Sequence, residues 1–419
     1  MKKLIFIYYL FVFAIFSCPA EHILLDSDVF IDFEGYEMQD NDIVLLQNDS
    51  PMAIEIWNSE TKKLIKRYKF EKEVDKSISY TGYAYLDCIA CDMIGDDVWA
   101  IAEGVQTNLI KLNITTGKLT FIAKNADNYN AIKAIKKEED GRGTIWISQF
   151  MQPMWGGHVR CYDTDGNLLN KFVVRVDDTD FDVHNLKYSN GKYSSFCVCN
   201  AYYVYELNKN SDDQDCFRNL EFDLENKTYE FKKIPYTDFL SKEFLSQFDY
   251  FQDKFQCGTY FCGNDYLKLH IYMDMPDYMR KRVFFLYHYN QSKSSYEFVK
   301  AFDDKLEINR AVDYVNGIDK DNYTIIGRDI SNIDNYSDYN WFIDIYKNNV
   351  LMNRYKFFGL RGYQIPKDNR KTQWFGCKQI NDSNSSIAYI YDWENNRLYT
   401  TDKDGNKVDI SESVKVSLE

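Results

Sequence analysis

Proline is scarce in this sequence, at six of 419 residues, and histidine is scarcer still, at five. The histidines, at positions 22, 158, 184, 270 and 288, show no H-x-x-x-H or similar ligand spacing, which removes the common histidine-based metal motifs. Positive charge is also in deficit. Fifty Lys and Arg against 64 Asp and Glu leave a formal charge of −14. Nucleic acid is excluded as a partner on that balance, because phosphate binding draws on clustered basic side chains. Adhesion to an anionic membrane by overall charge fails for the same reason. The chain contains no G-x-S-x-G elbow, no phosphate-binding glycine loop and no dinucleotide fingerprint. Past the amino terminus, no apolar segment approaches the ~20 residues that a membrane-spanning helix requires.

Aromatic residues are abundant instead. Thirty-four tyrosines and 29 phenylalanines, in a chain that is 45% hydrophobic, supply a large core and exclude global disorder. Rings of this kind favour strands, since they fit a pleated, half-buried surface. At the amino terminus Lys2 and Lys3 precede the apolar run Leu4 to Phe16, the shape of a secretory signal. The following Ile15-Phe16-Ser17-Cys18 resembles a bacterial lipobox, which implies that Cys18 is lipidated and that the acyl chains hold the protein on a membrane. The expected organisation is a signal peptide with lipobox cysteine at 1–18, a tether at 19–33 and a single domain at 34–419. Nine cysteines remain after Cys18, an odd number, so at least one thiol is free or pairs between molecules. Most read as buried thiols; Cys257 and Cys262 are the candidates for a local disulfide.

A recurring unit carries the architecture: a short apolar strand, a gap, then a hairpin with a polar turn. Asp97-Val98-Trp99-Ala100-Ile101 leads to Leu109–Leu112, a turn at Thr115–Lys118, and Leu119–Ile122. Gly143–Ser148, containing Trp146, leads likewise to Val159–Tyr162, a turn at Asp163–Asn167, and Leu168–Val174. Trp99 and Trp146 hold matching places. Looser copies begin near Ile43, Phe196, Thr259, Tyr323 and Ile387, with Tyr203–Tyr205 assigned to the fourth unit. This spacing predicts an all-β propeller of seven four-stranded blades, with six or eight as alternatives. One stretch departs from it. Phe239, Leu240, Phe244, Leu245, Phe248 and Phe251 recur near helical spacing, predicting a short inserted helix around 237–255.

The units from Val98 to Val174 resemble bacterial secreted and lipoprotein propellers whose blades read like G-x-I-W-I followed by Y-D-x-x-G. That resemblance implies a propeller but not one function, because the superfamily holds sensors, binding proteins and lactonase-like enzymes. A propeller ligand lies over the axis, where the innermost strands begin. Polar residues stand just before such strands at Asp87, Asn130, His184-Asn185 and Asn309-Arg310, and these are the candidate funnel side chains. Glu34-Gly35 is similar to the early glutamate of the gluconolactonase family. The likeness implies that Glu34 ligates one divalent cation such as calcium, with Asn130 or Asn185 as amide partner. Asp163-Thr164-Asp165-Gly166 and Asp402-Lys403-Asp404-Gly405 look like the starts of calcium loops, but neither has the glutamate that such a loop places at its twelfth position. They read as hairpin turns.

The expected function is a non-catalytic cell-envelope lipoprotein, without cofactor, whose propeller is a binding platform for an envelope protein or a glycan. The alternative is a metal-dependent lactonase-like hydrolase using the funnel residues. A third is a sensory or assembly partner working through a blade edge or the inserted helix. The anchor is directly testable: wild type should incorporate a fatty-acid analogue in cells and Cys18→Ala should not. Equal labelling of the two would remove it.

Overall fold

The computed structural model describes residues 34–47, 53–61, 63–69, 87–103, 108–123, 129–136, 143–149, 157–174, 179–180, 183, 186–199, 205–206, 216–235, 254–261, 265–274, 280–302, 310–329, 340–358, 363–364, 372–378, 386–402 and 406–418. Strands dominate because many apolar runs are buried on both sides. Val98, Trp99, Ala100 and Ile101 are consecutive, yet all four are essentially inaccessible to solvent. Alternation would suit a sheet with one wet face; a continuous run suits a sheet packed between two others.

Seven antiparallel sheets result. From the inner to the outer strand, blade 2 comprises Asp87–Ile94, Asp97–Glu103, Asn108–Asn113 and Leu119–Ala123. Blade 3 comprises Tyr129–Lys136, Gly143–Gln149, Gly157–Asp163 and Leu168–Val174. In blade 4 the inner place is shared by Thr179–Asp180 and Lys187–Ser189, followed by Lys192–Cys199, Cys216–Asp223 and Thr228–Pro235. Blade 5 runs Tyr205–Glu206, Lys254–Phe261, Tyr266–Asp274, Arg280–Asn290 and Ser295–Phe302. Blade 6 runs Arg310–Gly317, Tyr323–Asp329, Asn340–Lys347 and Val350–Phe358, with Lys415–Val416 added outside. Blade 7 holds Thr372–Lys378, Ser386–Asp392, Arg397–Thr401 and Lys407–Asp409. Blade 1 has Asp42–Gln47, Ala53–Asn58 and Leu64–Lys69, and takes its inner strand, Tyr363–Gln364, from the chain between blades 6 and 7.

The ring is closed by side-chain packing. Ile43, Leu45 and Trp57 of blade 1 cluster with Ile390 of blade 7, so the first and last sheets meet. Apolar clusters also join blades 1 and 2, 2 and 3, 3 and 4, 5 and 6, and 6 and 7. Blades 4 and 5 are linked by Lys187 to Asp265 at 2.9 Å and by the Tyr289 hydroxyl to Ser189 Oγ at 3.4 Å.

One local device recurs at one hairpin of each blade. Trp57, Leu112, Tyr162, Phe222, Tyr289, Tyr346 and Tyr391 sit near the end of the strand that enters it, and all are buried. In blades 1 to 5 and 7 the next residue is Asn58, Asn113, Asp163, Asp223, Asn290 or Asp392. Each of these side chains accepts a hydrogen bond from a backbone N–H of the turn that follows. Blade 6 turns instead through Asn348 and Asn349, both at positive φ, as a two-residue hairpin demands. Asp163 and Asp402 thus brace turns, accepting from the Asn167 and Asn406 backbone N–H groups.

Two expectations are refined. Blades 4, 5 and 6 have five strands rather than four. Tyr205 belongs with blade 5, pairing with Phe255, and not with the fourth unit. No α-helix occurs among the described residues; most of the stretch around 237–255 lies outside them, and Lys254 and Phe255 begin a strand. The exchange of Tyr363–Gln364 into blade 1 was not foreseen. Leu46 pairs with Gln364 and Gln47 with Tyr363 in that exchange.

Trp146 shows how much one seam residue carries. It is fully buried between blades 3 and 4, against Tyr193 at 4.7 Å and Phe222 at 5.1 Å, and its Nε1 donates to Thr144 Oγ1 at 3.0 Å. Trp146→Ala should lower unfolding stability by about 3–5 kcal/mol, read from the denaturant midpoint. A midpoint unchanged from wild type would contradict the stacking described here.

Candidate functional site

In blades 2, 3 and 6 the innermost strand pairs antiparallel with the strand that directly follows it, so these three inner strands run in one direction and begin at one end of the ring. Asp87 opens the inner strand of blade 2, paired with Glu103, and Arg310 opens that of blade 6, paired with Asp329. Asn130 lies second in the inner strand of blade 3. There Tyr129 pairs with Gln149 and Ala131 with Ser148, so Asn130 is the extra residue of a β-bulge. The inner strands of blades 2 and 6 are bulged in the same way, between Cys88 and Ala90 and between Val312 and Tyr314. Bulges re-aim side chains and are enriched beside binding sites. The backbone therefore brings Asp87, Asn130 and Arg310 to one end of the channel. His184, Asn185 and Asn309 lie outside the described residues, as does Cys18.

Glu34 is placed elsewhere. Its carbonyl accepts from Lys66 Nζ and from the Tyr68 hydroxyl, each at 2.7 Å, on the outer strand of blade 1. The glycine beside it has a packing reason. A Cβ on Gly35 would stand 2.2 Å from the Thr115 carbonyl oxygen, because this segment lies against the blade 2 hairpin, where Tyr36 N–H donates to Ile114 O at 2.9 Å.

A second constellation lies deeper along the inner strands. Asp92 stands opposite Trp99, Lys133 opposite Trp146 and Lys187 opposite Ser194, on three successive inner strands. Asp92 is buried, and its Oδ1 accepts from Met93 N–H at 2.8 Å. Its Oδ2 takes the Ala134 N–H of the next blade at 2.8 Å and lies 3.8 Å from Lys133 Nζ. Lys187 Nζ reaches Asp265 Oδ1 at 2.9 Å and lies 5.5 Å from the centre of the Tyr289 ring. Carboxylate–ammonium contacts thus link blades 2 and 3 and, separately, blades 4 and 5, while the like charges of Lys133 and Lys187 oppose each other. Sequence reading missed them: Asp92 lies opposite Trp99 and Lys133 opposite Trp146 only through the strand register, because the two connections differ in length.

Burial pushes the Lys187 amine below the usual lysine range, with Asp265 opposing and Lys133 adding to the shift. Burial would raise the Asp265 carboxyl, but the charge and hydrogen bond of Lys187 outweigh it and hold Asp265 below the usual carboxylate range. His288, packed edge-on to Tyr266 at 4.9 Å, is lowered by burial against the pull of Asp265. This set can recognise polar or charged groups. Among the described residues no group of three or more His, Cys, Asp or Glu side chains could hold a metal ion.

The seven sheets define the class: a seven-bladed β-propeller. No family model matches the chain, and no curated protein matches it. Among solved structures, the N-terminal domain of Nup159 aligns over 90% of this chain and 89% of its own, at 8% identity and a TM-score of 0.34. The Dos1 propeller aligns over 85% of this chain and 72% of its own, at 9% identity and a TM-score of 0.32. A lignostilbene dioxygenase from Pseudomonas brassicacearum covers 91% of this chain and 89% of its own, at 8% identity and a TM-score of 0.38. Values this low transfer no activity, and the propeller assignment rests on the seven sheets themselves.

The axial pair makes a pH prediction. A carboxyl held below its ordinary range stabilises the fold above that range, and the benefit is lost as pH falls through the folded-state value. A lysine depressed by burial acts oppositely, costing stability while charged and ceasing to as pH rises through its folded-state value. Asp265→Asn should therefore cost roughly 1–3 kcal/mol at pH 7, discounted for the half-exposed carboxylate, and progressively less toward pH 3. Adding Lys187→Met should restore much of the loss at pH 7. A double variant no more stable than the single, by thermal melts across pH, would refute the coupling.

Proposed function

We propose that this is an exported, lipid-anchored cell-envelope protein whose propeller is a non-catalytic binding platform for a protein or glycan. The observation that supports this reading most is the convergence of Asp87, Asn130 and Arg310 at one end of a closed ring, beside bulged inner strands. A ring held by six apolar seams is rigid, which lowers the ordering cost of binding at its mouth. A carboxylate, an amide and a guanidinium at one rim suit hydroxyl-rich or peptide ligands through hydrogen bonds, without covalent chemistry. His184, Asn185 and Asn309 belong to the same proposed mouth by their place in the sequence. Glu34, whose carbonyl is held by Lys66 and Tyr68 against the outer strand of blade 1, is not included in the proposed mouth.

The test uses soluble Cys18→Ala protein on a glycan array and in crosslinking with envelope extracts. A ligand found there should bind at least about tenfold more weakly to the triple variant Asp87→Ala/Asn130→Ala/Arg310→Ala, a loss of ~1.4 kcal/mol, with unchanged melting. Undiminished binding by the variant would sink the mouth as the site. Turnover of a lactone that requires added divalent cation would replace the platform with the hydrolase.

A further inference from the structure

The outer strands of blades 1, 2 and 3 differ from most of the circumference. They read LIKRYK, LTFIA and LLNKFVV and contain no Asp or Glu, in a chain of charge −14. The outer strands of blades 4, 5 and 7 carry Glu230, Glu297 and Asp409. Only Val350–Phe358 of blade 6 is likewise free of acid, and there the chain's own Lys415–Val416 covers the edge. Blades 1 to 3 have no such cover among the described residues.

They expose aliphatic side chains beside Lys171: Ile65 is 40% exposed, Leu168 52%, Leu169 41% and Val173 46%. Phe298, Val350, Met352 and Val408 are exposed on blades 5 to 7, but Phe298 and Val408 share their strands with Glu297 and Asp409, and Val350 and Met352 lie on the strand that Lys415–Val416 covers. The register explains Ile65 and Leu169. Ile56 pairs with Lys66 and Trp57 with Leu64, while Cys161 pairs with Asn170 and Tyr162 with Leu168, so Ile65 and Leu169 are extra residues of outer-strand bulges. Ile122 continues the apolar rim between them, since a Cβ on Gly166 of the blade 3 hairpin would meet its Cδ1 at 2.6 Å. Bulges discourage strand addition along an edge, so this rim fits a surface better than another strand. Lys171 is exposed on it, Lys66 lies 3.7 Å from Glu34, and Arg67 is turned to the buried Glu55 at 3.3 Å.

The rim is also where the described chain enters. Glu34 is held by Lys66 and Tyr68 of blade 1, and Tyr36 by Ile114 of blade 2. On the anchored reading, residues 19–33 join Cys18 to this rim over at most about 50 Å at ~3.3 Å each, so the rim is the part of the ring that the tether reaches first.

We propose that the outer edge of blades 1 to 3 is a lipid-contacting surface that lays the propeller on its rim against the membrane. This rests on the anchored reading above. Aliphatic side chains enter the headgroup boundary while lysine accompanies them toward lipid phosphates, as in interfacial proteins. With this rim against the membrane, the channel axis runs along the bilayer plane and both mouths stay open.

Hydrogen exchange tests it. Lipidated wild type in vesicles of phosphatidylethanolamine and phosphatidylglycerol is compared with Cys18→Ala protein free in solution. Amides of Leu64–Lys69 and Leu168–Val174 should exchange roughly tenfold more slowly on vesicles, while those of Thr228–Pro235 do not change. Ile65→Asp/Leu169→Asp/Val173→Asp should abolish that slowing yet still sediment with vesicles, because the acyl chains remain. Equal exchange on all outer strands overturns the proposal. Slowing of the same strands in concentrated Cys18→Ala protein without vesicles also overturns it, assigning the rim to a second copy. Wild type that fails to sediment defeats the anchor. The rim is then judged by adding vesicles to Cys18→Ala protein, where unchanged exchange overturns it as well.

Discussion

Everything in this molecule depends on burying both faces of seven small sheets at once. A lone four-stranded sheet with Trp, Tyr and Phe on each side could not stay in water, and stacking leaves uncovered faces at either end of a row. Bending the row into a circle removes the ends. The meeting of Ile43, Leu45 and Trp57 with Ile390 is therefore the contact on which the other seams rely. Each seam contributes apolar area at roughly 25 cal/mol per Å², and opening one exposes two faces.

The repeated pairing of a buried apolar residue with a turn-bracing Asn or Asp shows how sequence secures that geometry locally. Tyr162-Asp163, Phe222-Asp223 and Tyr391-Asp392 each join a core contact to a hairpin. The ring packs against the aromatic, and the side-chain oxygen folds the chain back at the next position. Because the two functions sit on adjacent residues, a slip in register would displace both together, which favours a single register. The same economy explains why an acidic surface is tolerated: many of its carboxylates are already engaged by the N–H groups of their own turns.

Much of this was legible from residues alone. Trp99 and Trp146, the polar hairpin turns, and the starts of the inner strands at or beside Asp87, Asn130 and Arg310 all depend on interactions within about forty residues. The blade count followed from them. What escaped were pairings between distant segments that leave no local periodicity. Leu46 with Gln364 and Arg354 with Val416 join strands far apart in sequence. The axial charges became visible only when neighbouring blades were brought into line, since Lys187 finds Asp265 across a seam. The surroundings of Glu34-Gly35 were not legible either: a short motif is readable anywhere, while the contacts with Thr115 and Tyr68 come from distant segments.

The borrowed strand in blade 1 has a consequence for how the chain acquires its shape. Asp42–Gln47 emerges early in synthesis, but its inner neighbour is Tyr363–Gln364. Contacts of such separation carry a heavy loop-closure cost and form late. The first blade made is thus among the last to be completed, and nearly the whole polypeptide must be present before it is. Truncated or stalled chains will display an open sheet edge at blade 1, a feature that quality-control factors recognise.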